Sequence, residues 1–381
     1  MFTMRARRLF DGQDLYEDRV VTIHDGRIAA ITGPGPADLD LGPATLLPGL
    51  IDCHVHLAFD ASADPVAHLD RPDLAARMRQ AARQHLAAGV TTVRDLGDRD
   101  YLALGLGLTT TEGPEILASG PPITTSGGHC WWLGGQADGE AAVRAAVRER
   151  AARGAHVIKV MVTGGQLTEG SAPHLMQYGP AELKAAVDEA HAFGLPVAAH
   201  AHSPQGIAEA LQAGFDTIEH CGFWTENGVE PDPRLIAALA DSPVVASLTA
   251  GIVPVPGVAP PPEVLARLPK MIEVLRTLYA AGVTFVIGSD AGIAPVKPHG
   301  LLPHGVQMLV DAGYAPLDVL RAVTSVAAGV CRVGARKGRI SPGFDADLLV
   351  VAGDPLADVT TLCRPLAVYR MGQKVMDSPD R

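Results

Sequence analysis

"AAGVTFVIGSD", residues 280–290, reads as the end of a helix, a turn, a short apolar strand and a polar tip. Gly282 sits where a helix C-cap favours a residue free to take positive φ. The run after it is apolar at nearly every position, the pattern of a strand covered on both faces. The same grammar recurs in "AAGVTTVRD" (87–95), "ARGAHVIKV" (152–160), "AFGLPVAAHAH" (192–202) and "QAGFDTIEHC" (212–221). With "LLPGLIDCHVHL" (46–57), "PEILASG" (114–120) and "SPVVASLTA" (242–250) the strands number eight. Amphipathic stretches such as "DLAARMRQAARQHLAAG" and "AELKAAVDEAHAFG" fill most gaps, and only 98–113 has its helical pattern spoiled by glycines. Eight strand–helix units in this order predict an α/β fold, a (β/α)8 TIM-like barrel, over residues 48–334.

The ends carry a different pattern. "RVVTIHDGRIAAITG" (19–33) is two short strands around an Asp-Gly turn, and "DADLLVVAG" and "LAVYRMGQKV" are again strand-like with Gly turns. Neither end could bury a core alone. Residues 1–47 and 335–381 are therefore expected to build one small β-sandwich domain, with the barrel inserted between them.

In such barrels the chemistry gathers at the C-terminal ends of the strands. The polar residues expected there are His54 and His56 (strand 1), Lys159 (strand 4), His200 (strand 5), His220 (strand 6) and Asp290 (strand 8). Strand alternation points His54 and His56 to one side and turns Cys53 away. A single histidine at a strand end could simply satisfy a polar neighbour. Five strand ends in register read instead as ligands for two divalent ions, zinc foremost, with manganese, iron and cobalt suited to the same donors. An ammonium beside two cations is disfavoured, so the Lys159 pKa is expected to fall.

His-x-His after strand 1, Lys on strand 4, His on strands 5 and 6 and Asp on strand 8 resemble the amidohydrolase superfamily, as does the tail "KGRISPGFDADLLVVAGDPLADV". Within it the chain is most similar to the imidazolonepropionase-related branch that includes prolidase-like Xaa-Xaa dipeptidases. The stretches "GVTTVRDLG", "ASGPPITTSGGHCWW", "VIKVMVTGG", "VAAHAHS", "TIEHC" and "GSDAG" carry that likeness. The resemblance implies a homo-oligomeric hydrolase in which His54, His56 and Asp290 hold one metal and His200 and His220 the other. It also implies that Lys159, as N6-carboxylysine, bridges the two. A metal-bridged hydroxide would attack the scissile amide of a dipeptide or N-acyl amino acid, with Asp290 as general base and then acid. Tyr178 resembles the family tyrosine that hydrogen-bonds the reacting oxygen, with packing at a helix entry as the competing reading. His129 is a hydrogen-bond donor from the Gly-rich loop after strand 3. His202, which could replace His200 as ligand, is placed with Trp131, Trp132, Arg94 and His299 as a candidate substrate contact, and an internal pair with Asp95 or Asp52 is the competing reading of Arg94. Opening of a cyclic amide and cleavage of a xenobiotic amide or carbamate fit the same ligands. A Lys159 Schiff-base lyase and an inactive scaffold are remoter alternatives.

The totals narrow the rest. The 381 residues are 47% hydrophobic and 19% charged, with a formal net charge of −11, which argues against a general nucleic-acid or anionic-membrane binder; the small-molecule substrate is what the resemblance implies. No apolar run approaches the roughly 20 residues needed to span a bilayer. The start "MFTMRARRLFDG" reads as no signal peptide, and five cysteines without a CxxC pair fit a reducing cytoplasm.

Overall fold

A computed structural model describes residues 1–258 and 262–377. Eight short strands follow one another in chain order: β1 (Leu50–Val55), β2 (Val90–Asp95), β3 (Glu115–Ala118), β4 (Ile158–Met161), β5 (Val197–Ala201), β6 (Thr217–His220), β7 (Val245–Thr249) and β8 (Phe285–Gly288). All pair in parallel, β1 to β3 as one sheet and β4 to β8 as a second. Two seams join the sheets. Ile123 bridges to Val160 just past β3, and Val55 bridges to Ala291 just past β8. At the second seam the Asp290 N–H donates to the His54 carbonyl at 2.8 Å, and the His56 N–H to the Ala291 carbonyl at 3.1 Å.

Local chemistry explains how the strands enter their helices. After β5 the chain reads Ser-Pro-Gln-Gly, where the Ser203 hydroxyl accepts from the Gly206 N–H and Pro204 opens the helix Pro204–Ala213. Gly214, at φ +88°, ends that helix and aims the chain into β6. The stretch 98–113 forms turns and no helix, so the second of the expected strand–helix units lacks its helix. Leu102, Leu106 and Leu108 pack there as a loop, because Gly105 and Gly107 make helix costly.

Strands from both ends of the chain form a single eight-stranded sheet. Leu15–His24 and Arg27–Thr32 pair around Asp25-Gly26, both at positive φ, as the Asp-Gly motif predicts. Thr45–Pro48 pairs with Phe2–Phe10 on one side and Leu348–Val351 on the other, which knits the two ends together. This sheet has its own apolar core around Met4, Leu9, Ile28, Leu46, Leu348 and Tyr369. The larger core lies between the parallel strands and their helices.

Candidate metal centre

At the C-terminal ends of the parallel strands two clusters stand side by side. His54, His56 and Asp290 form one, and His200, His202 and His220 the other, with the ligand-capable atoms of each within 4.8 Å of one another. The first cluster can be resolved to the proton. His54 Nδ1 lies 2.9 Å from Glu219 Oε2 and His56 Nδ1 lies 3.2 Å from the Gly97 carbonyl, so both Nδ1 atoms carry the hydrogen. Their Nε2 atoms are then bare lone pairs, yet they sit 3.2 Å apart and each lies 3.5 Å from Asp290 Oδ1. Three acceptors converge with no proton among them. A metal ion held between them would satisfy all three.

The second cluster follows the same logic. His200 Nε2 donates to the Gly164 carbonyl at 3.0 Å, leaving Nδ1 as the lone pair, 2.9 Å from His220 Nε2. His220 Nδ1 is held by Thr249 Oγ1 at 2.9 Å. His202, expected beside the substrate, lies within this cluster, its ring stacked on that of His220 at 4.2 Å. Such outer hydrogen bonds fix ring orientation and tautomer for metal binding.

Burial sets the protonation states. It lowers His54 and His202 to about 4, and His200 and His220 well below their ordinary value, so the imidazoles are neutral and fit to coordinate. Burial would raise the carboxyl of Asp290, but the positive charge around it, Lys297 included, holds it far below the usual range. Lys159 is 1% exposed and, among the described residues, its Nζ has no hydrogen-bond partner. Its pKa falls to about 8, chiefly from burial, with Arg94 adding and Glu219 and Asp290 opposing. The fall therefore comes from lost solvent, and the neighbouring charges on balance oppose it.

The residue the sequence reading missed is Glu219. It lies one position before His220 with its side chain inside the ring of strands, binding His54 on one side and Arg94 Nη2 at 2.9 Å on the other. Its only signal was its place, a charged residue inside an otherwise apolar strand. Because Thr217 and Glu219 face inward, alternation would send His220 outward. His220 instead takes φ +73°, which turns the chain and brings the ring back to the site. Cys221, at φ +49°, was expected to turn away from a face carrying His220, and with Glu219 inward it does not. It lines a cleft beside His202 and His220.

The remaining candidates divide. His129 is buried with its ring 4.8 Å from that of His200. Gly165 admits it, since a Cβ there would lie 2.3 Å from His129 Nε2. Arg94 is no substrate clamp. It is fully buried, donates Nε to the Cys53 carbonyl at 2.7 Å and pairs with Glu219, not with Asp52 or Asp95. The Tyr178 hydroxyl donates to the Ala137 carbonyl at 2.7 Å, and that contact takes up its single proton. His299 is committed inward, to the Phe59 carbonyl at 2.8 Å and the His85 ring nitrogen at 3.3 Å. Trp132 packs on Phe59, which in turn packs on His56, while Trp131 is 44% exposed.

Comparison with known proteins agrees with this geometry. Ochratoxinase of Aspergillus niger is 30% identical over 377 residues, covering 88% of this chain and 76% of the fungal protein. The imidazolonepropionase of Salinispora tropica is 24% identical over 372 residues, covering 88% of this chain and 86% of its own. Among solved structures, a Xaa-Pro dipeptidase with methionine in its active site superposes with a TM-score of 0.85 at 27% identity, covering 98% of both chains. That likeness implies a TIM-like α/β barrel fold for the parallel strands. With the amidohydrolase family model matching residues 45–375, the chain belongs to the amidohydrolase family and is a hydrolytic enzyme acting on carbon–nitrogen bonds.

Proposed function

We propose that this enzyme hydrolyses the amide bond of a dipeptide or N-acyl amino acid with two divalent ions, zinc foremost. The observation that carries the metal reading is the convergence of His54 Nε2, His56 Nε2 and Asp290 Oδ1 with no hydrogen between them. His54, His56 and Asp290 would hold one ion, and His200 and His220 the other, with His202 close enough to serve beside them. Lys159, whose buried amine has no hydrogen-bond partner among the described residues, would bridge them as a carbamate formed with carbon dioxide. Divalent ions bound there lower the pKa of a coordinated water and polarise the scissile carbonyl. Asp290, ionised at neutral pH, takes a proton from the attacking water and delivers it to the leaving nitrogen. His129, neutral because burial lowers it to about 3, offers a hydrogen bond to the reacting oxygen. The likeness to imidazolonepropionase supports a second reading, in which the same residues open a cyclic amide.

The two seam-joined sheets fit a closed (β/α)8 barrel over 48–334, and the sheet from 1–47 and 335–381 fits the small domain, folded over as a sandwich. A cytoplasmic homo-oligomer remains part of this reading. Among the described residues all five cysteines are unpaired, and no helix is long and apolar enough to cross a membrane.

The test is metal content of the purified protein together with hydrolysis of dipeptides and N-acyl amino acids. About two equivalents of divalent metal, and activity lost on chelation and restored by zinc, are expected. Failure to retain metal after loading with zinc and bicarbonate would overturn the reading.

A further inference from the structure

Beside the second histidine cluster lies a partly open cleft of about 100 Å³. One end is closed by His202 and His220. The walls are Trp224, Leu248, Leu268, Met271, Leu275 and Met308, and no carboxylate, ammonium or guanidinium lines it among the described residues. Leu268, Met271 and Leu275 share one face of the helix Pro262–Ala280, by their i, i+3, i+7 spacing. All three are only half-buried, so the helix turns an apolar face toward space that the chain itself does not fill. Two methionines in the wall can adapt to irregular shapes. Trp224 lies 5.7 Å from the His202 ring, so the apolar wall begins where the histidine cluster ends.

We propose that this cleft binds a bulky uncharged group of the substrate, an aromatic ring or a branched aliphatic chain, carried on the scissile amide. This rests on the hydrolase reading above, and it narrows the substrate class. Amides with a small or charged group at that position are poor substrates, because a charge there would lose its hydration with no partner in the wall.

The experiment has two arms. In the first, the zinc-loaded enzyme is given two series of N-acyl amino acids, one varying the acyl group (acetyl, isovaleryl, phenylacetyl, succinyl) and one varying the amino acid side chain (Gly, Leu, Phe, Glu). In one series kcat/KM should rise tenfold or more from the small or charged member to the apolar one. Met271→Trp and, separately, Leu268→Trp should narrow that ratio toward one, with circular dichroism and metal content reporting that each variant is folded and loaded. Flat profiles in both series overturn the proposal. In the second arm, binding of 1-naphthylmethanol is followed by its fluorescence. Saturable binding weakened at least tenfold by both variants supports the cleft, and equal affinity in wild type and variants overturns it. Binding with no amide turned over would leave the cleft standing and defeat the hydrolase reading. Turnover without preference would do the reverse.

Discussion

Glu219 is fully buried, and its carboxylate is held by protein groups. Burial would raise its carboxyl, but Arg94, His54 and Lys159 hold it well below the ordinary range. Its two oxygens tie the guanidinium of Arg94 to Nδ1–H of His54, so one carboxylate both neutralises a buried cation and fixes a ligand's tautomer. Glu219→Gln is expected to leave Arg94 uncompensated, at a cost of about 3–5 kcal/mol. It should also weaken metal binding by about 10–100-fold. Denaturant unfolding and metal titration read the two effects separately. Tyr178 makes the opposite case. Its hydroxyl satisfies the Ala137 carbonyl, so Tyr178→Phe should cost about 1 kcal/mol of stability. It should lower kcat less than tenfold, whereas a loss of a hundredfold or more would restore the oxyanion role that its motif suggests.

At the scale of the element, the candidate ligands stand where strands end and backbones bend. His220 and Asp290 both take positive φ just where β6 and β8 leave the sheet, at +73° and +56°. Unfavourable conformations of this kind persist because hydrogen bonds around them leave the chain little choice, here Thr249 to His220 and the His54 carbonyl to the Asp290 N–H. The seam between β8 and β1 needs a close approach as well. A Cβ on Gly288 would lie 2.3 Å from His54 Cβ, so Gly288→Ala must push β1 and β8 apart. The expected cost is about 1–3 kcal/mol, with metal affinity falling because His54 moves. Ser203→Ala, which removes only the cap of the helix after β5, should cost about 1 kcal/mol. Thermal unfolding of the two variants, with metal content, separates a seam defect from a cap defect.

Across the whole molecule, a buried charge network fastens the terminal sheet to the strands that carry the site. Lys337 contacts Asp347, and also Glu115 and Asp345 at 3.3 Å each, while Arg336 pairs with Glu115 and Asp345. Glu115 opens β3, so the network links the C-terminal segment "KGRISPGFDAD" to the parallel sheet. Burial opposes ionisation of Glu115, but Arg336 and Lys337 bring its pKa down to about 2 from an ordinary 4.5. A depressed carboxyl stabilises the fold fully above its unfolded pKa, and loses that contribution as pH falls from about 4.5 towards 2. Acid unfolding followed by circular dichroism should therefore show a destabilisation in that window, and Glu115→Gln should remove most of it. An unchanged acid limb in the variant would mean that other carboxylates carry the acid sensitivity.

Sequence alone determined the strand count and order, the Asp-Gly hairpin and the split terminal sheet, and it named His54, His56, Lys159, His200, His220 and Asp290 as the candidates at the strand ends. These were legible because they depend on local periodicity, on turn chemistry, and on the rule that strand ends carry the chemistry. The roles of Arg94, Glu219, Tyr178 and His299 were decided only by the tertiary structure. Each depends on a partner distant in sequence: Arg94 and Glu219 are 125 residues apart and meet only inside the ring of strands. The turn at His220 was equally hidden, since alternation describes a strand and not the residue that leaves it. The loop at 98–113 lost its helix to its own glycines, as its sequence suggested. The apolar cleft beside His202 exists only because Leu268, Met271 and Leu275 come from one helix, Met308 from another and Trp224 from a loop. Periodicity can give each helix an apolar face, but packing decides which face stays uncovered.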